Sequence, residues 1–380
     1  MEIVPGLHQL KTPMVSAALP YMMPYAFEES DGVALFDAGY GTPEATRSMS
    51  EQLAGLGYEP RDIRRLIISH AHPDHLGMSG WVKEQSPDAE IVMLAREWQW
   101  IEERWADNDA WTRLSDAWMV RHGVPQAEIE EAHRQGASGP GVPRPAAAPA
   151  GSAPSPSRAR NGTEPPLDGE DEITLAAGEE EAEERAAARH RAPFRVDLEP
   201  EVKLEDGEVY AFDRWRLQAV WTPGHTPGHL CMYDLDHRLM FTGDHVLPHI
   251  SPNVSLHADQ EETSPLNDFR ESLRKVAAFD VERALPAHEF TIPDLRARCE
   301  VLLHHHDERL DEVRQAIGTR SATAREISQR VKWNTGPFDS FNIFMKRSAL
   351  GETLSHLRLL HDEGRVRRLE DNGHVLWEHA

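Results

Sequence analysis

The sequence has little cysteine and no long hydrophobic run. Only Cys231 and Cys299 occur among its 380 residues, which excludes a disulfide framework and is typical of a protein from a reducing compartment. Residues 1–5 have neither the basic start nor the apolar core of a secretory signal. No segment approaches the ~20 consecutive apolar residues that a membrane span requires. We therefore expect a cytoplasmic protein that does not cross a membrane.

Basic residues are also scarce relative to acidic ones. There are 40 Lys and Arg against 64 Asp and Glu, for a formal net charge of −24. Residues 301–380 are balanced, with 12 of each kind, so the whole excess lies in residues 1–300, which have 28 basic and 52 acidic residues. A body of this charge repels polyanions. Nucleic acid is therefore disfavoured as a partner, without being excluded.

Histidine, in contrast, is concentrated in one short segment. Residues 69–77 read Ser-His-Ala-His-Pro-Asp-His-Leu-Gly and follow an apolar run that predicts a buried strand. The Pro and Gly favour a turn, so the side chains of His70, His72, Asp74 and His75 should lie where that strand ends. Imidazole and carboxylate groups are ligands of Zn²⁺. The His-x-His and Asp-His pairs could therefore serve two metal ions.

Three later residues also follow short apolar stretches that predict strands. They are His225 after residues 219–221, Asp244 after residues 239–241, and His288 after residues 284–285. A single histidine in such a place is more often a core or surface group than a ligand. Together with the cluster at 70–75, the recurrence indicates one shared site. We assign no ligand role to the histidine run at 304–306, whose side chains would point in several directions around a helix.

The motif H-x-H-x-D-H at 70–75, followed by these three residues in this order, resembles the metallo-β-lactamase superfamily. The resemblance covers about residues 1–300 apart from an insertion. It implies an α+β fold, an αββα sandwich with a binuclear metal site at the open edge of its two sheets. It also implies the ligands: His70, His72 and His225 for the first ion, Asp74, His75 and His288 for the second, and Asp244 as a bridge. Asp37 and His229 match supporting residues that orient ligands by hydrogen bonds.

A binuclear site of this kind predicts hydrolysis by a hydroxide that bridges the two ions. Two ions about 3.5–4 Å apart lower the pKa of a shared water towards neutrality, so no Ser or Cys nucleophile is required. Asp74 is the predicted catalytic residue, which orients the nucleophile and moves a proton to the leaving group. Zn²⁺ is the favoured metal, with Mn or Fe as alternatives, because all three accept this mixture of nitrogen and oxygen ligands.

Composition divides the chain into a catalytic domain, residues 1–299, and a smaller domain, residues 300–380. Within the first, residues 97–135 are helix-forming and contain five of the ten tryptophans, which allows two interpretations: packing against the catalytic domain, or a lid over the metals. Residues 136–193 are rich in Pro, Ala and Glu and poor in apolar groups. This predicts a disordered loop, to which we assign no chemistry.

Residues 300–380 predict three helices followed by a hairpin. Asn372-Gly373 is typical of a type I′ hairpin turn, and Thr323 with Glu326 predicts a capping box. Helices before a hairpin resemble the winged-helix domain appended to the endoribonuclease-like branch of the superfamily. Interdomain packing or a homodimer contact is favoured over nucleic-acid binding here, because the region is charge-balanced. Any basic face would consist of Arg325, Arg330, Lys332, Lys346, Arg347, Arg365, Arg367 and Arg368.

The repeated Thr-Pro-Gly-His at residues 222–229, together with Asp244, is similar to the glyoxalase II-like branch, which hydrolyses thioesters. We therefore expect a hydroxyacylglutathione hydrolase-like enzyme that acts on the ester or thioester bond of a small acyl substrate. Three alternatives remain open: a metal-dependent endoribonuclease, a lactonase, and a non-enzymatic DNA-binding regulator with a spent metal site.

Overall fold

The structure, a computed structural model, describes residues 1–14, 19–105, 107–134 and 199–380. The segment 136–193, for which the sequence predicts disorder, lies outside the described residues. Among the residues described, no helix combines the length and the apolar character needed to cross a bilayer.

Two β-sheets make up the centre of the molecule. The first consists of Glu2–Val4 (β1), Leu7–Gln9 (β2), Tyr25–Glu29 (β5), Gly32–Phe36 (β6), Ile63–Ile67 (β7), Glu90–Leu94 (β8) and Val202–Leu204 (β9), in the order β1-β2-β5-β6-β7-β8-β9; Thr12–Pro13 (β3) and Tyr21–Met22 (β4) pair separately. The second consists, in sheet order, of Val209–Phe212 (β10), Trp215–Trp221 (β11), Leu230–Asp234 (β12), Leu239–Gly243 (β13) and Arg283–Pro286 (β14). Strands β6 to β9 are parallel to one another, as are β13 and β14. Their carboxyl ends therefore meet at one edge of each sheet.

Ten α-helices surround the sheets in the part of the chain that the structure describes. They are Pro43–Leu56 (α1), Pro73–Leu76 (α2), Ser79–Gln85 (α3), Ala95–Trp105 (α4), Asn108–Arg121 (α5), Gln126–Arg134 (α6), Pro265–Ala277 (α7), Leu295–Ala316 (α8), Ala324–Ser328 (α9) and Ile343–Asp362 (α10), with 3₁₀ turns at Pro60–Asp62 and Phe338–Ser340. Helix α1 shows how local sequence sets such bounds. The Thr42 hydroxyl accepts a hydrogen bond from the Ala45 N–H, Pro43 occupies the first turn, and Gly57 ends the helix at φ 91°.

Three clusters of buried apolar side chains separate these elements into layers. The inner faces of the two sheets meet in a cluster that contains Phe27, Trp215 and Phe241, in which the Phe27 ring packs at 5.1 Å, between centroids, from each of the other two. A second cluster joins the first sheet to α1, α3 and α4. A third joins the second sheet to α5, α7, α8 and α10. Helix, sheet, sheet and helix therefore follow one another through the molecule.

The C-terminal helices pack in this third cluster together with the second sheet. Helix α8 runs without a break across residue 300, where the sequence predicted a domain boundary. Strands Ala322–Thr323 (β15), Val366–Asp371 (β16) and His374–His379 (β17) form a small sheet in the order β15-β17-β16. The turn between β16 and β17 has positive φ at Asn372 (48°) and Gly373 (81°), as a type I′ turn requires. The capping box at Thr323 is also present, whereas winged-helix identity stays a prediction.

Candidate metal centre

The segment 70–75 lies where β7 ends, at the edge of the first sheet. After Ile67 the chain turns through His70 and His72 into the one-turn helix α2, which begins at Pro73 and contains Asp74 and His75. Proline at the first helical position fits, because its missing N–H would have no partner there. His70 and His75 are fully buried, and Asp74 is 6% exposed. Only His72 of the four is partly open to solvent.

All seven predicted ligands lie together, in two groups that share one residue. The first group is His70, His72, His225 and Asp244, and the second is Asp74, His75, Asp244 and His288; within each, the possible ligand atoms lie within 4.8 Å of one another. In the first group, Nδ1 of His72 is 2.9 Å from Nε2 of both His70 and His225. In the second, Nε2 of His288 is 3.3 Å from Asp74 Oδ2 and 3.4 Å from Asp244 Oδ1.

The other ring nitrogens of three of these histidines donate to oxygen atoms. The Nδ1–H groups of His225 and His288 donate to the backbone carbonyls of Asn253 (2.8 Å) and Tyr21 (3.3 Å). A carbonyl only accepts, so Nδ1 of each ring carries a proton, and Nε2 is the nitrogen turned towards the centre. Nδ1 of His75 likewise donates to Asp37 Oδ2 at 2.8 Å. This preset orientation is what a metal-binding imidazole requires.

Two buried atoms test whether the site suits cations. Nε2 of His75 and Oδ1 of Asp244 are buried and make no hydrogen bond of good geometry among the described residues; their nearest ionic neighbours, Asp244 Oδ2 and His288 Nε2, each lie 3.4 Å away. A buried polar atom without a partner costs about 1–3 kcal/mol, which a cation bound between them would offset. Nitrogen and carboxylate oxygen donors also match the ligand preference of Zn²⁺. The residues therefore fit a pair of divalent ions.

The pKa values of the histidines differ between the two groups for electrostatic reasons. Burial, reinforced by neighbouring imidazoles, lowers the pKa of His70 well below its ordinary value. Burial also lowers the pKa of His75 and His288, but the adjacent carboxylates outweigh it and hold both pKa values well above the ordinary range. Those histidines in turn outweigh the effect of burial on Asp244 and keep its pKa well below the usual value. The carboxylates are thus ionised, as metal ligands must be.

Asp37 holds both ends of the loop at 69–75 by hydrogen bonds to Ser69 and His75. It follows β6 in a left-handed backbone conformation, with φ 55°, a region that Asp tolerates better than most residues. Its carboxylate accepts from the Ser69 N–H and the Ser69 hydroxyl, each at 2.8 Å, besides His75. The Ser69 oxygen lies 2.9 Å from His70 Nδ1 and can accept a hydrogen bond from its N–H. Asp37 thus connects to one histidine of each group.

His229 supports Asp244 in a similar way. The Asp244 N–H donates to His229 Nε2 at 3.2 Å, so this ring nitrogen is unprotonated and Nδ1 carries the proton. Nδ1 donates to the Thr222 hydroxyl at 2.8 Å. His229 therefore fixes the backbone at the proposed bridging carboxylate from the strand beside it, and its role towards a metal stays a prediction.

Glu97 is a third supporting residue, and the sequence analysis overlooked it. Its carboxylate is fully buried and accepts three hydrogen bonds, from the Ala71 N–H (2.7 Å), the Thr226 hydroxyl (2.9 Å) and the Gly228 N–H (2.9 Å). Burial raises the pKa of Glu97 to about 7, against the effect of these donors. At Gly228 a Cβ atom would lie 2.1 Å from the Glu97 nitrogen, so only glycine permits this approach. Glu97 thus ties the loop at 70–75 to the loop at 225–229.

A sequence signal for Glu97 was available. The parallel strands β6, β7 and β8 are neighbours, and Asp37, His70 and Glu97 follow their respective ends within three residues. Polar residues at adjacent strand ends of a parallel sheet converge at one edge. Glu97, however, is a single glutamate that belongs to no metal-ligand motif. Asn253 was also missed, and it gave no signal because it holds His225 through its backbone carbonyl.

Replacing Glu97 by glutamine should weaken metal binding about tenfold, because the new amide would point N–H groups at donors that now meet a carboxylate oxygen. Affinity for Zn²⁺, measured by competition with a chromophoric chelator, checks this. Glu102→Gln is the matched control, since Glu102 is an exposed residue of the same helix. Equal affinity in Glu97→Gln and wild type would contradict the supporting role.

A cavity of about 730 Å³ opens beside His225. Its wall includes Trp100 and Trp111 of the helical insertion and Trp221 at the end of β11. The Arg104 guanidinium lies over the rings of Trp100 (4.6 Å) and Trp111 (4.0 Å). Trp98, Trp111 and Trp118 are buried, with exposed fractions of 7%, 5% and 4%, and Trp98 and Trp118 belong to the core clusters, whereas Trp100 is partly exposed. The insertion therefore both packs on the catalytic domain and lines a cavity next to the candidate metal centre.

The profile described as the Metallo-beta-lactamase superfamily matches residues 24–288, more than half of the chain. A metallo-beta-lactamase family protein of solved structure from Thermus thermophilus is 26% identical, with a TM-score of 0.71 over 100% of both chains. These findings confirm a mixed α/β metallo-beta-lactamase fold for this chain.

Two curated relatives bear on the reaction. The probable metallo-hydrolase YqjP of Bacillus subtilis is 22% identical over 80% of this chain and 78% of its own length. The atrochrysone carboxyl ACP thioesterase AacuM of Aspergillus aculeatus is 30% identical over 30% of this chain and 33% of its own. The chain spans about a third of the length of the fungal relatives that it matches, the lactamase-like protein vrtG of Penicillium aethiopicum among them.

Proposed function

The chain belongs to the metallo-beta-lactamase superfamily, and from this premise we propose that it is a binuclear metal-dependent hydrolase of ester or thioester bonds. The observation that carries the proposal is the position of Asp244. Its Oδ2 lies 3.8 Å from His225 Nε2 in one group and 3.4 Å from His75 Nε2 in the other. One buried carboxylate between two sets of three ligands is the arrangement that holds two cations close together.

The proposal assigns His70, His72 and His225 to one ion, Asp74, His75 and His288 to the other, and Asp244 to both. When bound, two such ions acidify water to a nucleophile near neutral pH and stabilise the negative charge that develops on the substrate oxygen. Zn²⁺ is the proposed metal, with Mn and Fe as alternatives.

Asp74 is the proposed proton carrier. Its Oδ2 lies 3.3 Å from His288 Nε2 and 3.5 Å from His75 Nε2, and these histidines, against the effect of burial, keep the pKa of Asp74 far below its usual range. An ionised carboxylate can accept a hydrogen bond from the attacking water and so orient it; Asp74 would take the proton that this nucleophile releases on attack and deliver it to the leaving oxygen or sulfur. With these residues no serine or cysteine nucleophile is needed.

The cavity beside His225 supports a bulky acyl substrate. Trp100, Trp111 and Trp221 contribute aromatic surface to its wall, where Arg104 lies over the first two rings and Arg96 over the third. An acyl group would pack against the ring surface that these guanidinium groups leave uncovered. A volume of about 730 Å³ is in the range of sites for molecules of several rings. We propose that the cavity takes the acyl part of the substrate, with its carbonyl towards His225. The name of AacuM, a carboxyl ACP thioesterase, and the repeated Thr-Pro-Gly-His support a thioester in particular.

The endoribonuclease and DNA-binding alternatives receive less support from the C-terminal region. Of the eight basic residues that would form a nucleic-acid face, five are paired with carboxylates: Arg325, Lys346, Arg365, Arg367 and Arg368. Phosphate binding would have to break these pairs and overcome the overall negative charge. An acyl substrate meets neither obstacle.

A substrate panel tests the proposed reaction. Purified protein with about two equivalents of metal should hydrolyse aryl and alkyl acyl thioesters, S-lactoylglutathione among them, and the corresponding esters. Single-stranded RNA and a lactone are assayed beside them. Cleavage of RNA with no turnover of any acyl thioester or ester would overturn the assignment, and turnover of the lactone alone would favour the lactonase alternative.

The cavity makes a further prediction about selectivity. Trp100→Ala should raise KM for an aromatic acyl thioester about tenfold, because a stacking face of about 1 kcal/mol or more is lost, and should leave kcat nearly unchanged. Turnover of an acetyl thioester by the same variant is the internal control, since an acetyl group has no aromatic ring to pack against Trp100. Equal losses for both substrates would show that Trp100 acts through the fold.

A further inference from the structure

We infer that the C-terminal helices are a working part of the metal centre: Ser348 on α10, acting through Asn253, positions the proposed ligand His225. The inference concerns metal binding, so it can be tested whatever substrate the enzyme takes. It gives the C-terminal region a role that needs no nucleic acid.

The chain between Asp244 and α7 is the link. Residues 244–257 follow β13 and contain neither helix nor strand, so no backbone ladder holds them in place. Yet this segment begins with the shared carboxylate and includes Asn253, whose carbonyl orients His225. A segment with two such duties needs fixed anchors, because a displacement of about 1 Å at a ligand is enough to spoil coordination.

The side chain of Asn253 is held by Ser348 of α10 and by Ser255 of its own segment. The side-chain amide of Asn253 donates to the Ser348 hydroxyl at 2.6 Å, and its oxygen accepts from the Ser255 hydroxyl. All three side chains are buried, with exposed fractions of 6–9%. A buried amide with both ends bonded has one orientation. The peptide of Asn253, and with it the carbonyl that His225 uses, is therefore fixed from the helix.

The backbone of the segment also touches α10 directly. The Leu256 N–H donates to the Gly351 carbonyl at 3.0 Å. A Cβ at Gly351 would lie 2.8 Å from the Ser255 oxygen and 2.9 Å from its Cβ, so the approach requires glycine. A helix interior is an unfavourable place for glycine, by about 1 kcal/mol relative to alanine. The close contact with residues 255 and 256 explains why glycine occupies position 351.

Helix α8 anchors the other half of the segment. The Arg298 guanidinium donates to the carbonyls of Leu247 (2.7 Å) and Ile250 (2.8 Å), and the Ser251 hydroxyl lies 3.3 Å from His306 Nε2. Helices α8 and α10 thus hold the stretch from Asp244 to Asn253. No comparable contact from them reaches His75, which Asp37 holds, or His288, which Tyr21 holds, among the described residues.

This asymmetry predicts a selective effect. Ser348→Ala removes the hydroxyl that holds Asn253, so binding of the ion at His70, His72 and His225 should weaken about tenfold, while the ion at Asp74, His75 and His288 keeps its affinity. The full-length protein is stripped with a chelator and titrated with Zn²⁺ against a chromophoric competitor. Ser355→Ala is the matched control: Ser355 is a fully buried serine of the same helix whose hydroxyl has no hydrogen-bond partner among the described residues. It should bind both ions as wild type does.

Two further variants distinguish positioning from general damage. Ser348→Thr keeps the hydroxyl and should restore the affinity of the weakened site. Asn253→Ala leaves the carbonyl but removes the amide, so it should reproduce Ser348→Ala, and the double variant should be no weaker than either single one. The inference is overturned if Ser348→Ala and Asn253→Ala leave both affinities unchanged, or if they weaken both ions equally. Should Ser348→Ala fail to fold by circular dichroism, Asn253→Ala decides by the same criteria.

Discussion

Replacing Asp244 by asparagine is expected to remove metal from both halves of the centre and to lower turnover at least about 10³-fold. The reason lies in the sharing of this one carboxylate. Its two oxygens lie 3.4 Å from His75 Nε2 and His288 Nε2, and Oδ2 also lies within 4.0 Å of His70 and His225. Asparagine keeps the shape but loses the negative charge, so each set of ligands loses its common anion.

Elemental analysis and steady-state kinetics check this prediction together. Asp236→Asn makes the same chemical change at an exposed residue after β12 and should retain both metal and activity. Loss of one ion with the other at full occupancy would show that Asp244 serves a single ion. Full occupancy with wild-type turnover would refute the site as proposed.

Acidification from pH 7 to pH 5 is expected to destabilise the packing of the C-terminal helices, through the buried pair His306 and His356. The two rings are linked by a 3.3 Å hydrogen bond, and His356 Nδ1–H donates to the Glu352 carbonyl at 2.8 Å. Burial, reinforced by the nearby Arg309 and Arg270 cations, lowers the pKa of His356 to about 3, against the effect of that hydrogen bond. Burial and His356 also lower the pKa of His306.

The direction of the effect follows from proton binding. A histidine of the unfolded chain takes up a proton below pH ~6.5, whereas folded His356 stays neutral until about pH 3. Stability is therefore complete above the unfolded pKa and falls as the pH drops below it. At pH 5, about 1.5 units below that value, His356 alone accounts for a loss of about 2 kcal/mol.

Urea unfolding at the two pH values measures this loss. In His356→Gln, which can still accept a hydrogen bond from His306, the free energy of unfolding should fall between pH 7 and pH 5 by about 2 kcal/mol less than in wild type. His304→Gln is the control, because the His304 side chain is 74% exposed on the same helix as His306. A pH dependence of His356→Gln identical to that of wild type would contradict the prediction.

The structure brings the predicted metal residues together, because they follow the ends of short strands, and their role as ligands stays a prediction. A strand of a few buried residues delivers the next side chain to a sheet edge, and this placement depends on local pattern alone. The same rule applies to Glu97 after β8, but a single glutamate does not stand out in a search for metal-ligand motifs.

Other features could not be predicted because they depend on contacts between distant parts of the chain. Asn253 supports His225 through a backbone carbonyl, which every residue possesses, so its identity gives no sign of the role. The change in composition near residue 300 predicted a separate domain, and this division stays a prediction; composition gave no sign that α8 crosses this point and packs in the cluster shared with the second sheet. Composition reports local character, whereas the shared core is a property of the folded chain.

The continuity of α8 matters for anyone who wishes to prepare the catalytic half alone. A gene fragment that stops at codon 299 would end five residues into the helix, just after Arg298, and would lack His306, Ser348 and Gly351, which contact the loop after Asp244. It would also expose the apolar side of α7 to water, and exposed apolar surfaces of this kind promote aggregation. Shuffling this region between homologues would therefore exchange side chains that contact the loop after Asp244.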